Sequence, residues 1–151
     1  MALSVSDLAP DFTLPSDQNE SITLSHIKKP VVLYFYPKDH TPGCTKEACD
    51  FRDHFAAFQN NDVVILGVSK DSSKTHTSFK QKHQLPFTLL VDANADVCEA
   101  YGVINKKSLF GKTFLGIERA TFLIDDKRII RAIWRKVKVP GHVEQILNEL
   151  K

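Results

Sequence analysis

A chain of 151 residues, 42% hydrophobic and 25% charged, has the composition of a soluble globular protein and is long enough to fold as one domain, 1–151, around a full core without metal or disulfide staples. Its 20 basic and 18 acidic side chains leave a net charge of +2, too balanced for nucleic acid or an anionic membrane to be expected as the principal partner. No stretch approaches the roughly 18 to 20 apolar residues of a bilayer span, and Met1–Pro15 lacks the basic-then-apolar order of a signal peptide, so the expected location is cytoplasmic.

In chain order, Met1–Pro10 shows no period and reads as an irregular lead-in. Asp11–Leu14 and Ser21–Leu24 alternate with period two around a turn-rich Pro15–Glu20, predicting a small hairpin, and Ser25–Lys29 has room for one helical turn before Pro30. Val31–Phe35 is a continuous apolar run rich in β-branched and aromatic residues, the pattern of a central strand covered on both faces. A helix with an apolar face follows Thr41-Pro42. Val63–Val68 is a second buried strand, Ser72–Gln84 a polar surface helix, Leu89–Val91 a third strand and Asp96–Tyr101 a short helix. Gly102–Gly116, with Asn105, Gly111 and three lysines, reads as a loop. Ala120–Ile124 and Ile129–Trp134 form an antiparallel hairpin across Asp125–Arg128, and Gly141–Leu150 closes the chain as a helix with Val143, Ile146, Leu147 and Leu150 on one face. This order predicts a three-layer α/β/α sandwich of the thioredoxin type. Its mixed central sheet is parallel in its first half and antiparallel at the terminal hairpin, and an N-terminal hairpin precedes it.

The chemistry concentrates in Pro37–Cys49. Thr serves as an N-cap and Pro is favoured at N1, which places Cys44 at N3, beside unpaired backbone N–H groups and the positive end of the helix dipole; both favour thiolate over thiol. At 100° per residue, Ala48, Phe51, Phe55 and Phe58 fall within about 40° of Cys44, whereas Cys49 lies about 140° away with Asp53 on the polar side. Residues five apart in an intact helix have Cα atoms about 8.6 Å apart, and a disulfide needs less than about 7 Å. A Cys44–Cys49 bond therefore requires the first turns to unwind, which Gly43 eases.

Pro37-x-x-x-Thr41-x-x-Cys44 resembles the active-site motif of the peroxiredoxins. Thr-Pro-Gly-Cys-Thr with a second cysteine five residues on is similar to the bacterioferritin comigratory protein, or peroxiredoxin Q, subfamily. Ala9-Pro10-Asp11-Phe12, Gly67-Val68-Ser69-Lys70-Asp71-Ser72 and Tyr101-Gly102-Val103 extend the resemblance over most of the chain. The resemblance implies that Cys44 is the peroxidatic cysteine, that Thr41 hydrogen-bonds the peroxide and that Pro37 shields the thiolate. It further implies that Arg119 stabilises the charge and that Cys49 resolves the sulfenic acid into an intramolecular disulfide reduced by thioredoxin. Peroxides and thioredoxin are the implied partners, a monomer the implied state, and no bound cofactor or metal is implied. Some members of the subfamily carry the resolving cysteine in the segment that is Ser72–Gln84 here, and this chain has none there.

Other residues carry plainer expectations. Cys98, beside Val97 and Tyr101, is expected to be a core thiol. His40 is expected on an exposed loop and Glu47 on a solvated helix face, each with a proton-handling role as the alternative. Arg119 competes with Arg52, Arg128, Arg131 and Arg135. An alternative to peroxide removal is a peroxide-responsive sensor that uses the same disulfide to alter a binding surface. A general disulfide oxidoreductase is disfavoured because Cys-x-x-Cys is absent.

Overall fold

Alternation along one strand sets the architecture of the computed structural model, which describes residues 2–150. In β3 (Val31–Phe35), Val31, Leu33 and Phe35 enter one hydrophobic core while Val32 and Tyr34 enter another on the opposite face. Every residue of β3 is buried, as a strand with helices or chain over both faces must be.

Around it run β4 (Val64–Ser69) and β5 (Thr88–Val91), parallel to it, and β8 (Ala120–Ile124) and β9 (Ile130–Trp134), antiparallel; the sheet order is β5-β4-β3-β8-β9. On one face lie α1 (Pro42–Asp53), α2 (Phe55–Asn60), α3 (Ser73–His83) and α5 (His142–Glu149), contributing Cys44, Ala48, Phe51, Phe58, Phe79, Val143 and Ile146 to the core there. On the other lie α4 (Asp96–Ala100) and the N-terminal segment, whose β1 (Thr13–Pro15) and β2 (Ser21–Thr23) form the expected hairpin. The three-layer α/β/α sandwich with a mixed sheet is therefore the observed fold.

Three details depart from the sequence reading. Gly102–Gly116 is not a loop: β6 (Ile104–Leu109) and β7 (Lys112–Ile117) pair as an antiparallel hairpin separate from the main sheet. Most of its side chains are exposed, so it lacks the wet–dry alternation that marks a strand in sequence. The helix after Thr41 is broken at His54 (φ −105°, ψ 10°), whose Nδ1 lies 2.9 Å from the Asp50 carbonyl oxygen. Finally, the polar helix α3, capped by Ser72 Oγ accepting from the Thr75 N–H at 3.3 Å, buries His76 as well as Phe79.

Two registers position the site. Phe35 pairs with Ala120, so the residue before β8, Arg119, stands beside the end of β3 where the chain turns into α1. Gly67 in β4 leaves room for the Tyr34 ring: a Cβ there would lie 2.9 Å from Tyr34 Cζ.

Candidate active site

Thr41 occupies the N-cap of α1 with extended backbone angles, and Pro42 follows, so Cys44 is at N3 as its sequence context predicts. The cap itself differs. Thr41 Oγ1 donates to the Lys38 carbonyl at 2.8 Å and makes no side-chain bond to the helix. Its hydroxyl closes the preceding loop, and the first-turn N–H groups receive no side-chain acceptor from it.

Cys44 is 2% exposed and packs against Ala48 and Phe51 on the core face. Arg119 Nη2 donates to its sulfur at 3.3 Å, and Nη1 donates to Glu47 Oε1 at 2.7 Å. Gly43 permits this approach, because a Cβ there would sit 3.2 Å from Arg119 Nη2. The resemblance had singled out Arg119 where the residues alone left several arginines in competition, and the β3–β8 register is what sets this one beside Cys44.

Glu47 is the residue that sequence reasoning misplaced. It is fully buried rather than solvated. One helical step arithmetic gives the signal: three residues after Cys44 is about 60° from it, at the edge of the apolar face. Burial raises its carboxyl to about 7, with the Arg119 charge and hydrogen bond offsetting part of the rise. Among the described residues its Oε2 has no hydrogen-bond partner, and neither has the buried Tyr34 hydroxyl, which belongs to the same core as Cys44.

Cys49 does not join this cluster. It is half-buried and lines a shallow groove with His40, Pro42, Thr45, Lys46, Lys82 and His83. All three cysteines are free thiols, and α1 is continuous from 42 to 53, so Cys44 and Cys49 are held apart by the intact helix. Pro37 is half-buried in the loop before α1. Cys98 is a core thiol, fully buried, its pKa pushed up by that burial and by Asp92. His40 is exposed, edge-on to Phe79.

A second polar cluster, invisible in the sequence, anchors the loop. Asp39 accepts from Tyr36 Oη at 2.6 Å on one oxygen and meets His76 Nδ1 at 2.6 Å on the other. His76 Nε2 lies 2.8 Å from the Leu90 carbonyl oxygen. With acceptors at both ring nitrogens, His76 is best satisfied as an imidazolium. Burial pushes its pKa down, but the hydrogen bond and charge of Asp39 outweigh that and raise it. The Asp39 N–H donates to Asp71 Oδ2 at 2.8 Å. Asp39, Asp71 and His76 stand close enough to share a metal ion. Their donors and acceptors already satisfy one another, so the cluster is read as a structural network.

The AhpC/TSA family matches residues 5–133. A Coxiella burnetii relative is 56% identical over 151 residues, covering 99% of this chain and 100% of its own. Peroxiredoxin Bcp of Bacillus subtilis is 52% identical over 152 residues, covering 100% of this chain and 97% of its own. Among solved structures, a cysteine-to-serine variant of Xylella fastidiosa PrxQ superposes with a TM-score of 0.92 at 39% identity, covering 99% of this chain and 96% of that one.

Proposed function

Because the chain belongs to the AhpC/TSA family as a Bcp/PrxQ-type peroxiredoxin, and so is a thiol peroxidase, we propose that Cys44 is its peroxidatic residue and Cys49 its resolving one. The observation that carries this assignment is the Arg119 guanidinium on the sulfur of a cysteine at a helix N-terminus.

The Cys44 thiolate attacks the terminal oxygen of a hydroperoxide, the S–O bond forms as the O–O bond breaks, and the alkoxide or hydroxide leaves and takes a proton from water. Thr41 has committed its hydroxyl proton to Lys38, so its oxygen is an acceptor for the peroxide O–H. Pro37 shields the sulfur from bulk water, and Arg119 stabilises the charge passing through the transition state. Cys49 sulfur then attacks the Cys44 sulfenic sulfur, forming the disulfide and releasing water. A dithiol protein of the thioredoxin kind supplies two electrons and two protons to restore both thiols. The cycle needs one chain and no cofactor, consistent with a monomeric, single-domain cytoplasmic enzyme.

The experiment is NADPH-coupled peroxide turnover with thioredoxin and thioredoxin reductase on wild type and the Cys44→Ser, Cys49→Ser and Cys98→Ser variants. Turnover is expected to vanish in the first, to be poor in the second and to persist in the third; full turnover by Cys44→Ser overturns the assignment. One observation favours a second reading, a redox sensor. The groove at Cys49 is walled by α1 and α3, so forming the bond dismantles a surface. Its mark is an oxidised form that thioredoxin reduces slowly and that gains or loses a partner.

A further inference from the structure

Four of the six exposed large hydrophobic side chains among the described residues sit on one element, the β6–β7 hairpin: Leu109, Phe110, Phe114 and Leu115, with Phe110 93% exposed. Phe110 and Gly111 have φ of +52° and +76°, the left-handed pair of a two-residue hairpin turn. The register places Leu109 opposite Lys112, Phe114 opposite Lys107 and Leu115 opposite Lys106. Cross-strand partners share a face, so Leu109 and Phe114 lie on one face of the ribbon and Leu115 on the other, each beside a lysine. No acidic residue occurs from Asn105 to Ile117, and Lys106 shares a groove at the hairpin base with Arg135 and Lys136. The acid at that base, Glu118, accepts from Asn105 Nδ2 at 2.6 Å. Lys107 is committed to the Ile117 carbonyl, which leaves Lys106 and Lys112 as the outward cations.

We propose that this hairpin docks the protein on an anionic lipid bilayer. Its apolar end enters the boundary between headgroups and acyl chains, with Lys106 and Lys112 on the lipid phosphates. A flat protein partner covers one face of a two-stranded ribbon; apolar side chains on both faces and at the turn are covered together only when the end is immersed. A second copy of the chain would set lysine against lysine. Lysine stems lie along apolar surface and carry their amines to an anionic interface, the pairing that bilayer-surface segments use. The near-neutral total charge, which set a membrane aside at the sequence level, averages over a chain whose hairpin is uniformly basic. β7 ends two residues before Arg119, so docking holds the active site near the surface and makes acyl-chain hydroperoxides of the bilayer the favoured substrate class. That substrate clause rests on the peroxidase reading; the docking does not.

The test is sedimentation of the full chain with phosphatidylcholine vesicles, with and without phosphatidylglycerol, beside a Phe110→Ser/Leu115→Ser variant. Binding is expected to favour the anionic vesicles and to fall about ten-fold or more in the variant, the loss that removing two inserted apolar side chains gives. Hydrogen peroxide turnover in solution is expected to be unchanged, while turnover of vesicle-borne lipid hydroperoxide falls with binding. Absence of binding, equal binding by the variant, or a lipid-free dimer that the variant abolishes overturns the docking. Binding without peroxide turnover by wild type would instead sink the peroxidase reading and leave the docking standing.

Discussion

Arg119 holds Glu47 at 2.7 Å with one guanidinium nitrogen and faces Cys44 Sγ at 3.3 Å with the other, so a buried carboxyl fixes the cation that fixes the sulfur. Replacing Glu47 by Gln keeps its size but removes the charge that orients Arg119. Losing a charged hydrogen bond of this kind is expected to slow oxidation of Cys44 by about 10- to 100-fold. Stopped-flow measurement of the second-order peroxide reaction checks this, and a change under two-fold would show that Arg119 needs no such partner.

The same carboxyl gives a pH dependence of unusual sign. Its folded value, about 7, lies above the ordinary 4.5, so the folded state binds the proton more tightly than the unfolded one. Below 4.5 both states are protonated and nothing is lost; as pH rises through 7 the unfolded state gains the advantage. Wild type should therefore lose about 2 kcal/mol relative to Glu47→Gln between pH 5 and 7.5, read from paired denaturant melts.

Gly43→Ala separates activity from stability. Alanine is favoured over glycine within a helix by roughly 0.5–1 kcal/mol, so the melting temperature should hold or rise. The added Cβ meets Arg119 Nη2 at 3.2 Å, and Arg119 is pinned by Glu47, so the guanidinium must give by a few tenths of an ångström and its bond to Cys44 loosens. Peroxide turnover should drop several-fold in a protein that melts no earlier; unchanged turnover would mean that the close approach carries no function.

Asp39 and His76 form an ion pair that is buried at both ends. Removing one member strands the other, and His76→Asn is expected to cost about 3–5 kcal/mol in denaturant unfolding. The folded pKa of His76 is raised, so its contribution is complete below the unfolded value near 6.5 and fades as pH rises through the folded one. The gap between wild type and variant should narrow on the alkaline side; a gap constant with pH would mean that the ring is neutral.

Oxidation should melt the start of α1. Wild type treated with one equivalent of peroxide is expected to lose hydrogen-exchange protection over residues 42–53 when the Cys44–Cys49 bond forms, whereas Cys49→Ser keeps it. The boundaries are already present in the break at His54 and the anchored Asp39. A disulfide-bonded form with residues 44–49 still helical would contradict the geometry.

Local rules were enough for the parts of this protein that depend on neighbours in sequence. The apolar run of β3, the Thr41-Pro42 helix start and the resulting N3 position of Cys44 follow from periodicity and capping chemistry. So does the separation of the two cysteines on one helix. Tertiary structure decided what depends on register and burial. The placement of Arg119, which resemblance named and local pattern could not, came from the Phe35–Ala120 pairing, and the buried state of Glu47 came from the sheet beneath α1. The Asp39–His76 clamp joins residues 37 apart, and no local period encodes such a pair. Gly102–Gly116 looked like a loop because a ribbon wet on both faces has no inside to imprint on its sequence. Pro37–Cys49 thus carries the thiols by sequence alone. The Arg119 guanidinium that meets Cys44 reaches it only through the fold.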